Sequence, residues 1–190
     1  RYYNGLRTLR QCWSIMSATA RLSLLKQIVE HCTKNSGFES ILKQIRVVSG
    51  GNGTCTCELT VTEEHQNRGG SLHGGCTATL VDAVSTWALM ATDENVAGVS
   101  VSMDISYMKA AKVGEDIIIE AKTLKRGKRL AFLSVDIRNK SDGSLLALGK
   151  HTKYVNLLTV SNAIYRKGRL ATTVVCSCTF VSSFSNHLQR

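Results

Sequence analysis

Proline is absent from all 190 residues, so every turn and helix stop falls to Gly, Asn, Asp or Ser. Acids are confined: all 14 lie between Glu30 and Asp142. Seven of the 24 basic residues, by contrast, fall at the two ends: Arg1, Arg7, Arg10, Arg166, Lys167, Arg169 and Arg190. The formal charge of +10 therefore belongs largely to the ends. Residues 16–155 hold 17 basic and 14 acidic residues, a balance that implies no general nucleic-acid-binding surface. No apolar run reaches the roughly 18 residues of a membrane-spanning helix. The seven cysteines, at 12, 32, 55, 57, 76, 176 and 178, are odd in number and lack C-x-x-C or Cys/His zinc spacing. Neither a metal site nor a disulfide framework is expected; buried reduced thiols are, which favours an intracellular compartment.

What is present centres on residues 67–87, N-R-G-G-S-L-H-G-G-C-T-A-T-L-V-D-A-V-S-T-W. A glycine-rich polar loop runs into a long apolar segment. A Gly pair at a helix start presents backbone N–H groups at the positive end of the helix dipole, a place for a phosphate, a carboxylate or an oxyanion. Asp82 interrupts the apolar run about two turns after Gly75, on the same side of the helix. Asn67, the Gly-rich start and a buried Asp82 then converge on a candidate site. Alternatively, Asp82 only accepts hydrogen bonds from a neighbouring loop. Cys76 could gain thiolate character at the helix start or could pack as a small apolar group.

The rest of the chain organises around that segment. Residues 18–32 have helical spacing and 36–43 suit a second short helix. Strands are expected over 46–49, 55–61, 99–108, 116–124, 130–139 and 145–155, with hairpins at 125–128 and 140–143. C-x-C at 55 and 57 places both thiols on one strand face. In 99–108 strict alternation puts Val99, Val101, Met103, Ile105 and Tyr107 on one face and Ser100, Ser102, Asp104 and Ser106 on the other. The class is α+β: an antiparallel sheet wrapped around one long central helix, 75–91, the long apolar cover available to it. Residues 1–15 form an N-terminal extension, read as upstream sequence or as a targeting presequence. Residues 157–190, acid-free and β-prone, form a C-terminal extension expected to lie outside the fold. The domain is 16–156.

Four blocks, H-Q-N-R-G-G-S-L-H-G-G-C-T-A-T-L-V-D, G-V-S-V-S-M-D-I-S-Y-M, L-K-R-G-K-R-L-A-F and G-K-H-T-K, follow one another in order. Together they resemble the hotdog-fold acyl-coenzyme A thioesterases over about residues 16–156. The resemblance implies two protomers pairing their sheets, active sites at that interface, and a homotetramer built as a dimer of dimers. It also implies hydrolysis of medium- and long-chain fatty acyl-CoA without a cofactor, in cytosol or mitochondria, with a phosphatidylcholine transfer protein as a possible partner.

The family's catalytic residues fall on Asn67, His73, Gly74, Asp82 and Ser100. Thioester hydrolysis needs a held water, a base and donors for the oxyanion. Gly74 N–H and Asn67 are expected to polarise the carbonyl. Asp82 is expected to activate water, with its carboxyl pushed up by burial, and Ser100 to place that water, from the partner protomer. Direct attack by Asp82 is the chemical alternative. His73 is read either as a base or, preferably, as a ring that fixes the loop. The hairpin Lys125, Arg126, Gly127, Lys128, Arg129 and Leu130 is a solvated turn by charge alone; the resemblance implies contact with the nucleotide end of CoA. Tyr107 and Tyr154 are expected to line the same groove. A non-catalytic acyl-CoA-binding or regulatory protein of this fold remains the alternative, with a hydratase less well matched by the Asn67, Asp82 and Ser100 set.

Overall fold

The computed structural model describes residues 16–34, 37–92 and 96–155. The two extensions expected from the sequence, and Asn156, lie outside the described residues. Helix α1 spans Ala18–Lys34 and a 3-10 stretch spans Phe38–Leu42. Strands β1 (Arg46–Gly51) and β2 (Thr54–Thr60) form a hairpin. A second 3-10 turn, Glu63–His65, leads to helix α2, Gly74–Met90. Four strands follow: β3 (Val99–Tyr107), β4 (Asp116–Arg126), β5 (Leu130–Asn139) and β6 (Leu145–Tyr154).

Without proline, the β1–β2 turn is made by Asn52 and Gly53, both at positive φ (53° and 82°). That pair of conformations turns two strands in two residues with a twist that matches theirs. The six strands form one antiparallel sheet in the order β1-β2-β4-β5-β6-β3. Helix α2 packs against β2 to β6, and α1 covers β1. The expected α+β arrangement of a sheet around one central helix is what forms.

The reason lies in which residues α2 buries. Leu80, Val81, Val84, Trp87 and Ala88 are almost completely buried, on more than one face of the helix. They meet the inward side chains of alternate sheet positions, among them Cys55, Cys57, Ile119, Val135 and Ile137. Cys55 and Cys57 do share one face, with their sulfurs 3.6 Å apart, and the described thiols are all free.

One contact sets how close helix and sheet come. A Cβ placed on Gly149 of β6 would lie 2.6 Å from a methyl of Val81 and 2.9 Å from the other. Val81 is β-branched and stiff in a helix, so it cannot swing aside. The helix therefore crosses β6 over a bare backbone, and the residue after Val81 is Asp82.

Strand β3 departs from strict alternation. Its register against β6 pairs Ser100 with Lys153 but Ser102 with Thr152, which leaves Val101 as an extra residue. This bulge turns Ser100 to the helix side, while Ser102, Asp104 and Ser106 keep to the outer side with Thr152, Lys150 and Leu148. The single polar face expected from the sequence is thus split at Val101. β3 is also an edge, paired on one side only, with Val99, Val101, Met103 and Tyr107 all between 41% and 59% exposed.

Replacing Gly149 by Ala forces a methyl into Val81 at the helix crossing. We expect a loss of about 1–3 kcal/mol in chemical denaturation, the usual cost of overpacking a rigid contact. Pairing the change with Val81→Ala should recover part of that loss.

Candidate active site

The loop before α2 is built on Asn67. Its side-chain oxygen accepts from Gly69 N–H (2.8 Å), Ser71 N–H (3.3 Å) and the Ser71 hydroxyl (3.3 Å). Gly70, at φ 73°, closes the turn. With the oxygen committed to the loop, the amide NH₂ is the part of Asn67 left to donate outward. His65, completely buried, pins the loop from beneath: one ring nitrogen takes the Thr62 N–H at 3.0 Å and the other contacts the Ile41 carbonyl at 2.9 Å.

His73 is the N-cap of α2, and its Nδ1 accepts the Gly75 N–H at 2.8 Å. The ring therefore fixes the helix start by bonding to backbone. Gly74, as the first helical residue, has no acceptor for its N–H within its own helix. Tyr107 lies against it, with its hydroxyl donating to the Gly74 carbonyl at 3.3 Å. Asn67, Gly74 and Tyr107 line a cavity of about 330 Å³ with Leu72, Met108 and Leu146.

Asp82 lines a different cavity, of about 500 Å³, with Cys32, Phe38, Glu39, Thr79 and Met103. Its side chain is 51% exposed in the single chain, so the burial expected for it is not met within one protomer. Nor does the expected convergence hold: eight helical residues separate Gly74 from Asp82, about 12 Å at 1.5 Å per residue. One chain brings Asn67 to Gly74 and Asp82 to Ser100, but not the two pairs together. Tyr107 and Tyr154 are likewise apart, because β6 pairs Tyr107 with Ala147 and Val99 with Tyr154, at opposite ends of β3.

Around Asp82 stands a polar chain that the sequence reading missed. The Ser100 hydroxyl donates to Asp82 Oδ1 at 3.4 Å, and His151 Nε2 lies 2.9 Å from Ser100 Oγ. His151 Nδ1 is 2.8 Å from the Ser85 hydroxyl. A carboxylate only accepts, so Ser100 gives its proton to Asp82 and accepts from His151 Nε2–H, and Nδ1 accepts from Ser85. On the other side Lys153 Nζ is 3.7 Å from Asp82 Oδ1 and donates to Thr86 Oγ1, whose own hydroxyl donates to the Asp82 carbonyl at 2.7 Å. Lys153 is only 4% exposed.

Burial pushes the His151 ring below its ordinary value of 6.5, the Lys153 charge pushes the same way, and Asp82 opposes both. Burial also lowers Lys153, against the pull of the Asp82 and Glu39 carboxylates. The Glu39 carboxyl is raised, first by burial and then by Asp82. Cys76 is buried, and its thiol is pushed up to about 11. It packs as an apolar group and is no thiolate at neutral pH.

The signal for His151 and Lys153 was present in G-K-H-T-K. With Ala147 and Gly149 they occupy alternate positions of β6, the face turned to the helix, where polar residues are out of place unless partnered. The hairpin from Lys125 to Arg129 lines neither cavity. It closes the far end of the sheet, held by Gly127 N–H to Leu130 carbonyl and Val155 N–H to Arg129 carbonyl, both 2.8 Å. Leu130 there pairs with Tyr154. Among the described residues no cluster of three or more His, Cys, Asp or Glu could hold a metal ion.

Residues 69–146 match the thioesterase superfamily. The chain is 50% identical over 137 residues to acyl-coenzyme A thioesterase 13 from Homo sapiens, spanning 72% of this chain and 98% of that relative. Among solved structures, zebrafish thioesterase superfamily member 2 superposes with a TM-score of 0.70 at 50% identity, covering 71% of this chain and 98% of its own. The Mus musculus protein of the same name gives 0.66 at 46% identity, with 73% and 98% covered.

A buried neutral histidine has a sign in pH. The folded ring binds a proton less readily than the unfolded one, so its contribution is full above about 6.5 and is lost as pH falls through the folded value. The melting temperature should therefore drop more between about pH 7.5 and about pH 5 in the wild type than in His151→Gln. Equal drops would show that His151 is not neutral in the fold.

Proposed function

Because the chain belongs to the thioesterase superfamily, with acyl-coenzyme A thioesterases as its near relatives, we propose that it hydrolyses medium- and long-chain fatty acyl-CoA to free acid and CoA. The observation that carries this reading is the pairing of two half-sites of complementary chemistry on opposite ends of one exposed edge strand. Gly74 N–H and the Asn67 amide supply donors for a carbonyl oxygen. Asp82 and Ser100 supply an acceptor and a hydroxyl for water.

Within one chain the halves are too far apart for one carbonyl to touch both. β3 runs from Val99 to Tyr107, so its midpoint is Met103. A second copy pairing antiparallel about that midpoint carries Tyr107, with Gly74 and Asn67 behind it, to the start of the partner strand, where Ser100 and Asp82 stand. The same pairing covers Val99, Val101 and Met103 and removes the open edge. It also brings the basic hairpin beside Tyr107 of the other copy, so a CoA whose thioester sits at Gly74 runs its phosphates toward Lys125, Arg126, Lys128 and Arg129. Two-fold pairing makes two equal sites.

In such a site Asp82 takes the proton of a water that Ser100 orients, and the water oxygen attacks the thioester carbon. The oxyanion is held by Gly74 N–H and Asn67 until the C–S bond breaks and CoA leaves as thiolate. Preorganised donors of this kind supply the largest part of such a rate enhancement. His73 serves the geometry by capping the helix that carries Gly74. The family resemblance adds to the proposal a homotetramer of two such dimers, a phosphatidylcholine transfer protein as partner, and a cytosolic or mitochondrial location.

Release of CoA thiol from myristoyl-CoA tests the activity. We expect turnover by the wild type, and a fall of at least about 10²-fold in Asp82→Ala with the fold intact by circular dichroism. Tight binding without release would leave an acyl-CoA-binding protein instead. Mixing tests the shared site: Asn67→Ala and Asp82→Ala chains, each inactive alone, should regain about a quarter of wild-type activity when unfolded and refolded together in equal amounts. Half the dimers are then mixed, and each mixed dimer has one intact site. No recovery would overturn the shared site.

A further inference from the structure

Lys153 is a charged side chain almost wholly enclosed by protein, and neither the fold nor the hydrolytic steps above account for it. Methionine at this place would fill the space without the cost of desolvating a charge. The ammonium has two partners: the Thr86 hydroxyl, and Asp82 Oδ1 at 3.7 Å. Thr86 in turn donates to the Asp82 backbone carbonyl. The lysine thus grips the acid twice, once through its carboxylate and once through its helix turn. Ser100 approaches the same carboxylate oxygen, Oδ1, from β3. Both contacts fall on one oxygen, which leaves Oδ2 without a hydrogen bond to the described residues, on a side chain that lines the cavity and is 51% exposed in the single chain.

The titratable groups that face this carboxylate come from two elements. β6 gives Lys153 and the neutral His151, with Nε2 3.7 Å from Oδ1. The 3-10 stretch Phe38–Leu42 gives Glu39, whose carboxylate repels Asp82 across the shared cavity. Lys153 is the one cation among the described residues in contact with Asp82. Without it, Asp82 faces Glu39 with the long Ser100 hydrogen bond and the neutral His151 ring beside it but no cation to balance the two carboxylates.

We propose that Lys153 is a positioning residue for thioester hydrolysis, anchoring Asp82 by Oδ1 so that Oδ2 is presented to the attacking water. This rests on the reading of Asp82 as the group that activates water. Lys153 itself touches no substrate, so its removal should act on turnover and not on substrate binding.

The test is a double-mutant cycle on the full chain with Lys153→Met, Asp82→Asn and the pair, read by kcat and KM for myristoyl-CoA and by thermal melting. Lys153→Met should lower kcat at least about tenfold with KM within about threefold. In the Asp82→Asn background the same change should alter kcat by less than about twofold, because the group it acts through is gone. Melting adds a readout that needs no activity. Asp82→Asn strands a buried ammonium and should lower the melting temperature, and Lys153→Met on top should raise it again. Undiminished kcat in Lys153→Met, or equal losses in both backgrounds, would overturn the proposal and leave the lysine a purely structural role. Wild-type chain that releases no CoA would overturn the proposed activity, and with it any role of Lys153 in turnover; the melting cycle would still report whether the two charges are coupled.

Discussion

The bare backbone of Gly149 under Val81 is the contact on which the rest depends. An α-helix and a sheet normally keep a layer of side chains between them, and polar groups on the two surfaces then meet through long side chains or not at all. Removing one Cβ from β6 lets α2 settle against the strand. Asp82, the next residue along the helix, falls within reach of His151 and Lys153, which lie two and four residues beyond Gly149 on the same face of the strand. A rigid element on each side makes the geometry precise, as sites on helices and strands generally are compared with sites on loops.

That proximity creates an electrostatic problem with a specific resolution. A histidine and a lysine deep in an apolar sandwich are costly unless their polar atoms find partners. Here Ser85, Thr86, Ser100 and Asp82 supply them, three from the helix and one from the edge strand. The histidine stays neutral because burial and the neighbouring ammonium both disfavour a second positive charge. The lysine is held by the carboxylate it faces. A neutral ring that donates through Ser100 and a charge that pulls directly give Asp82 two unlike neighbours, one fixing its hydrogen bond and the other its field.

The other half-site follows different physics. Asn67, Gly74 and His73 work through backbone geometry: an Asx-type turn, a cap and a first helical N–H. Such features depend on local residue types at fixed spacing: the Gly-rich helix start and a His73 ring bonded to backbone were legible in N-R-G-G-S-L-H-G-G before any fold was known, while the turn closed by the Asn67 oxygen came with the structure. Asp82 was also legible, as an acid interrupting an apolar helix. The separation of Asp82 from Gly74 was legible in principle as eight residues of helix. Sidedness alone hid it, since two groups on one helical face can still be two turns apart.

By itself the sequence determined the class, the central helix, all six strand positions to within two residues at each end, and the donor loop, because hydrophobic period, glycine placement and capping act over a few residues. Tertiary structure decided the rest. Strict alternation sent Ser100 to the wrong face, and the bulge at Val101, which exists only because β6 pairs there, turned it toward Asp82. His151 and Lys153 sit in an ordinary alternating strand, and their meaning comes from the helix laid across it. Which ends of the molecule carry the two half-sites is set by strand order, and no local pattern encodes that, because long-range pairing is chosen by the packing of the whole sheet around one helix.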